Sequence, residues 1–212
     1  MPMRRAVYLS LIAFVAVSVA VPVFAYAEVE APHEIAGFRL QDNVDLYRDR
    51  IEKNTAAAIR DMEYLGEVDV IPPAGFKSGY LVFGKCAHPG RIVRISMKYA
   101  DSSKELFDKL LARFKEEYGE PAEWRGDPFH VYVAWKWSFV DKDNNRISMI
   151  LQHYSGDEDV YKNGNSVKLS MFELVEQEEK CYDKKHPQAQ ETTREKSKKQ
   201  TQVDFTKLIP GP

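Results

Sequence analysis

Only two cysteines, Cys86 and Cys181, occur in 212 residues, and neither has another cysteine nearby. That scarcity excludes a C-x-x-C redox pair, a C-x-x-C-H haem attachment and a four-cysteine zinc site. A G-x-S-x-G elbow, an S-x-x-K pair and a phosphate-cradling glycine loop are also missing, so the common nucleophile and phosphoryl-transfer signatures are absent. The five histidines, His33, His88, His130, His153 and His186, include no pair at i, i+4 spacing, which rules out an H-E-x-x-H zinc site. Cys86 and His88 supply at most two ligands for a soft metal, and Pro89 follows them. No metal or other cofactor is expected. Positive charge is short as well: residues 28–183 hold 29 acidic and 21 basic side chains, while residues 184–212 hold 3 and 7. A body of that sign argues against nucleic acid as a partner, because duplex binding needs a positive face to displace counterions. No segment after residue 27 is apolar for long enough to cross a bilayer.

What is present begins at the N-terminus. Arg4 and Arg5 precede an uncharged run that contains Pro22 and closes with Ala25, Tyr26 and Ala27 before Glu28. A basic end, an apolar middle and small residues at the cut define a secretory signal peptide over residues 1–27, with a mature start at Glu28. Membrane contact then arises only if this segment stays uncleaved. Export places Cys86 and Cys181 in an oxidising compartment, periplasmic or extracellular, where a disulfide is the default. The loop it closes is about 95 residues long, for which chain entropy gives on the order of 4 to 5 kcal/mol.

The mature chain divides into an N-terminal lead (28–36), one α+β domain (37–183) and a disordered basic tail (184–212). Asn43 can cap a helix with Val44, Tyr47 and Ile51 on one face, and residues 55–65 carry the helix formers Ala56, Ala57 and Ala58. Strand patterns follow at 80–86 and 91–99, then a helix opened by a Ser102–Glu105 capping box with a stripe of Leu106, Phe107, Leu110, Leu111, Phe114 and Tyr118. Three further alternating runs contain Val131 to Phe139, Ile147 to Leu151 and Val167 to Met171. The order α-ββ-α-βββ predicts an antiparallel sheet of about five strands covered on one face by helices. No internal repeat is legible.

Chemistry-bearing residues are few. The turn from Asp141 to Asn145 begins like a calcium loop, but Arg146 and Gln152 stand where glycine and glutamate are needed, so it reads as a hairpin turn. His153 lies near Asp157, Glu158 and Asp159, the one grouping in which a base and an orienting carboxylate could meet. The aromatic residues Trp135, Trp137 and Phe139 share a face and are assigned to the core, leaving Trp124, Tyr132 and Tyr154 as candidate binding contacts. In the tail, Lys196, Lys198 and Lys199 suit anionic envelope material such as phosphate headgroups.

The run Ala36 to Leu40 followed by a short helix, and Tyr118-Gly119-Glu120-Pro121 after an amphipathic helix, resemble small exported proteins of Gram-negative bacteria. The helix-G-x-P element is also similar to that of small outer-membrane assembly lipoproteins, which carry a lipidated cysteine where this chain has Glu28. Neither resemblance supplies catalytic residues. Together these features predict a periplasmic, non-enzymatic binding or envelope-associated module whose partner is a protein or an envelope component. The alternative is a periplasmic hydrolase with a dispersed site around His153.

Overall fold

Period-two alternation becomes strand wherever the sequence carries it, and several strands form where it is weak. In a computed structural model, which describes residues 30–156 and 164–187, the chain is a large antiparallel sheet with two helices and a small ribbon. The ribbon pairs β1 (Glu34–Ile35) with β2 (Phe38–Arg39). The sheet receives β3 (Ala57–Ile59), β4 (Met62–Asp69), β5 (Phe76–Gly84) and β6 (Ile92–Tyr99), followed by helix α1 (Lys104–Tyr118). It then receives β7 (Glu123–Gly126), β8 (Tyr132–Val140), β9 (Arg146–Tyr154) and β10 (Gly164–Met171), followed by helix α2 (Phe172–Lys185). The α+β class and the antiparallel sheet hold, but the sheet has eight strands rather than five.

The strand order is β3-β4-β5-β6-β10-β9-β8-β7, with every pairing antiparallel. Two four-stranded meanders, each ending in a helix, therefore meet through their last strands. Antiparallel pairing of β6 with β10 relates the two four-stranded meanders, though not their helices, by a local two-fold axis between those strands. The repeat that the sequence hides is thus a repeat of strand order. The helices also cross between units: α1 packs on β9 and β10, while α2 packs on β4, β5 and β6 and on β9 of its own unit. Neither unit can bury its own apolar face alone, which makes the two halves one cooperative core.

On the face that carries α1, one register row reads Val68, Leu81, Ile95, Leu169, Met149 and Trp137. All six are buried. Phe114 and Tyr118 of α1 meet Trp137 and Phe139 edge-on, and the Trp137 indole donates to the Gly119 carbonyl at 2.8 Å. The assignment of Trp135, Trp137 and Phe139 to the side under this helix is confirmed. On the opposite face α2 covers one half: its Glu173 and Glu176 hold Arg146, its Glu178 stands against Gly84, and the outward-alternating Leu65, Val82, Ser148 and Ser170 are buried at that end. The two helices therefore lie on opposite faces, not on one as expected. Residues 38–52 are tied to the sheet by Gln41 and Val44, which donate to the Ile92 and Gly90 carbonyls, and by an Ile51–Val70 bridge, and they bury Phe38 and Leu40.

Several expectations are corrected. The helix at Asn43 is a single 3-10 turn, Val44–Tyr47, because the bridges at Asn43 and Ile51 leave only residues 44–50 between them; Asn43 does cap it, accepting from the Asp45 amide. Residues 55–65 form the β3–β4 hairpin around Arg60 and Asp61, since pairing with β5 outweighs the helix preference of three alanines. Ser103, not Ser102, caps α1, with its hydroxyl accepting from Leu106 at 3.1 Å. β7 and α2 are additional elements. Ordered structure starts before Gly37, at β1, and α2 runs to Lys185 across the expected start of the tail. Residues 1–29, with the signal segment and Glu28, and residues 188–212, with Lys196, Lys198 and Lys199, lie outside the described residues.

Candidate functional site

The surfaces under the two helices are spent on stability, and their polar groups show it. His153 is 4% exposed, and its Nδ1 lies 2.7 Å from the Asn165 side-chain oxygen. The Asn165 amide donates in turn to the carbonyls of Asp101 and Ser103, and the His153 ring rests 5.4 Å from Phe107. The pair therefore hooks the start of α1 onto β9 and β10. The acidic residues expected beside His153 lie outside the described residues, and its partner here is an amide.

At the other helix, the fully buried Glu178 carboxylate accepts four consecutive backbone N–H groups, from Lys85, Cys86, Ala87 and His88, at 2.6 to 3.1 Å. Cys86 and Cys181 form a disulfide beside this nest, with Cα atoms 5.8 Å apart. A side chain at Gly84 would collide with the Glu178 carboxylate, so glycine is required there. Both devices fasten α2 to the loop after β5. Calcium-like chemistry at Asp141 is likewise consumed locally: it accepts from the Asp143 and Asn145 amides and stands 3.6 Å from His33. Burial pushes its carboxyl up, but these hydrogen bonds and His33 outweigh that and leave it below the usual carboxylate range. Among the described residues, no group of three or more His, Cys, Asp or Glu side chains is placed to hold a metal ion.

The uncovered half of the opposite face differs in kind. Its two central rows read Tyr80, Ser96, Lys168, Ile150 and Ser78, Lys98, Ser166, Gln152. All of these except Ile150 line one concavity of about 530 Å³, with Glu52 and Asp69 on its β4 side. Tyr132 and Tyr154 are register partners one row further along this same face. Both are half-buried, and neither lines the concavity itself.

The structure thus splits the three aromatic candidates. Tyr132 and Tyr154 are brought together on the open face, while Trp124, 45% exposed, sits at the β7 edge on the α1 side against Trp135 and His130. Exposed Phe129 adjoins it in the next turn. Ser96, Lys98, Ser166 and Lys168 were not among the sequence candidates. Their signal is a Ser-x-Lys triplet in each of two alternating strands, visible only once β6 and β10 are known to be neighbours.

Among the described residues no helix is long and apolar enough to cross a membrane. No protein-family model, no curated protein and no solved structure matches the chain. The chemistry of the site therefore has to be argued from its own residues.

Proposed function

We propose that the mature chain from Glu28 is an exported, non-enzymatic binding module of the cell envelope, which takes its ligand on the open half of the sheet. One observation carries this reading: the strands that bury an unbroken apolar row on the α1 side present hydroxyl, amide, ammonium and phenol groups to a single concavity on their other side. Tyr132 and Tyr154 extend that surface with amphipathic rings. The disulfide fits an oxidising compartment, and the N-terminal leader supplies the route to it. Under this reading, tail residues Lys196, Lys198 and Lys199 add electrostatic attraction to anionic envelope material, and Trp124 is a secondary contact at the sheet edge. The hydrolase alternative gains no support from His153, whose ring is enclosed and bonded to an amide.

Two measurements test the proposal. Mass spectrometry of the protein from its native host is expected to show a start at Glu28, and an intact Met1 in the membrane fraction would overturn the exported assignment. Lysine acetylation footprinting, with and without an envelope extract, is expected to protect Lys98 and Lys168 while leaving Lys104 and Lys109 on α1 reactive. Equal reactivity of all four in both conditions would remove the open face as the binding surface.

A further inference from the structure

The pairing of β6 with β10 has a symmetry with chemical content. Met97 faces Val167, so a two-fold axis through that pair places Ser96 on Ser166 and Lys98 on Lys168. The sequence agrees: Ser96-Met97-Lys98 and Ser166-Val167-Lys168 are the same Ser-x-Lys triplet on equivalent strands. Because the strands run oppositely, Ser96 stands beside Lys168 and Lys98 beside Ser166, and the two lysines are diagonal neighbours about 7 to 8 Å apart at the backbone. The next strands extend the relation, with Tyr80 beside Ser96 and Gln152 beside Ser166. The outcome is a square of two ammonium and two hydroxyl groups about the axis, inside the concavity.

The charge projected by the three strands around that square has one sign, and the concavity's carboxylates, Glu52 and Asp69, lie on its β4 side. On this face β6, β10 and β9 project Arg94, Lys98, Lys168 and Arg146, and not one carboxylate, although residues 28–183 as a whole carry 29 acidic and 21 basic side chains. Arg94 and Arg146 have other partners, Ser170 and the α2 residues Glu173 and Glu176. Lys168 forms no ion pair among the described residues. Asp69, the nearest carboxylate in the strand rows, lies two strands from Ser96, about 10 Å at the spacing of a sheet. Two lysines and two serines lining one concavity suit a tetrahedral dianion, whose oxygens can take up several donors at once.

We infer that the two Ser-x-Lys triplets form a phosphate-binding site on the local two-fold axis, which receives the phosphate group of the ligand. This deepens the binding-module reading and rests on it. A phosphate can come from a soluble metabolite or polymer or from a lipid headgroup, and the two sources are separable. The test is a calorimetric and NMR titration of the mature, disulfide-intact protein with inorganic phosphate and pyrophosphate, beside sedimentation with phosphatidylglycerol or phosphatidylcholine vesicles.

Saturable shifts of Ser96, Lys98, Ser166 and Lys168 amides are expected with a soluble phosphate, or with phosphatidylglycerol vesicles if the source is lipid. Lys168→Gln is expected to weaken that binding at least tenfold and Ser166→Asp to abolish it, whereas Lys136→Gln on the same face leaves it within twofold. Equal affinity in all variants, or no shift with any of these probes, overturns the phosphate assignment. In the latter case, protection of Lys98 and Lys168 by envelope extract would keep the open face as the binding surface for another chemistry, and loss of that protection would overturn both readings.

Discussion

One sheet presents two faces built from the same strands, and they differ in what each alternate residue is for. On the α1 side, Ile95, Leu169 and Met149 stand in register with Trp137 and exclude water. One residue along, Ser96, Lys168 and Ile150 stand in register on the other side and are half-exposed. The contrast teaches that Leu169 and Lys168, adjacent in sequence, answer to different selective demands: one to packing, the other to recognition. The covering of the second face by α2 stops short of this row, which leaves the concavity open.

The largest effect is expected at the staple that holds α2 against the sheet. Replacing Cys86 and Cys181 by serine releases a loop of about 95 residues and should cost on the order of 4 to 5 kcal/mol in equilibrium denaturation. A loss below about 1 kcal/mol would mean that the Glu178 nest alone secures α2. Next, Leu169→Ala should cost about 3 kcal/mol as a core cavity, while Lys168→Ala should change stability by no more than about 0.5 kcal/mol. Equal losses from the two neighbours would erase the distinction between the faces.

Smaller effects sharpen it. Asn165→Ala leaves the Asp101 and Ser103 carbonyls without their side-chain donor and should cost about 1 to 3 kcal/mol, with faster hydrogen exchange in the first turn of α1. Unchanged exchange there would show that His153 and Asn165 do not anchor the helix. Tyr99 offers a pH handle: burial first, and then the neighbouring Tyr118, push its phenol from 10.0 up to about 12. Its contribution is therefore complete below the unfolded value near pH 10 and is lost as pH rises towards 12. Tyr99→Phe should flatten that alkaline decline in stability, and an identical decline in the variant would assign it to other tyrosines.

How much of this was legible depends on whether the signal is local. The alternation at β6, β8, β9 and β10 and the stripe of α1 are local, and both the sheet and the Trp137 core follow from them. The β3–β4 hairpin was not legible, because Ala56, Ala57 and Ala58 favour helix until β5 pairs with β4. α2 carries Glu178 on its buried side, which breaks the apolar stripe a reader looks for; only the loop it binds explains that carboxylate. Tyr132 and Tyr154 could be named from residue type, but not their pairing. The Ser-x-Lys square was invisible because its halves are some seventy residues apart and share just two identities.

The central claim is that the open face recognises a ligand and contributes little to folding. Equilibrium unfolding of the mature protein and of Lys168→Glu, each with and without saturating pyrophosphate, tests it most directly, since a ligand that binds only the folded state raises its stability. The account predicts that both proteins unfold alike without ligand and that pyrophosphate stabilises only the unsubstituted chain. A Lys168→Glu protein that unfolds markedly earlier on its own, or that gains as much from pyrophosphate, would contradict it.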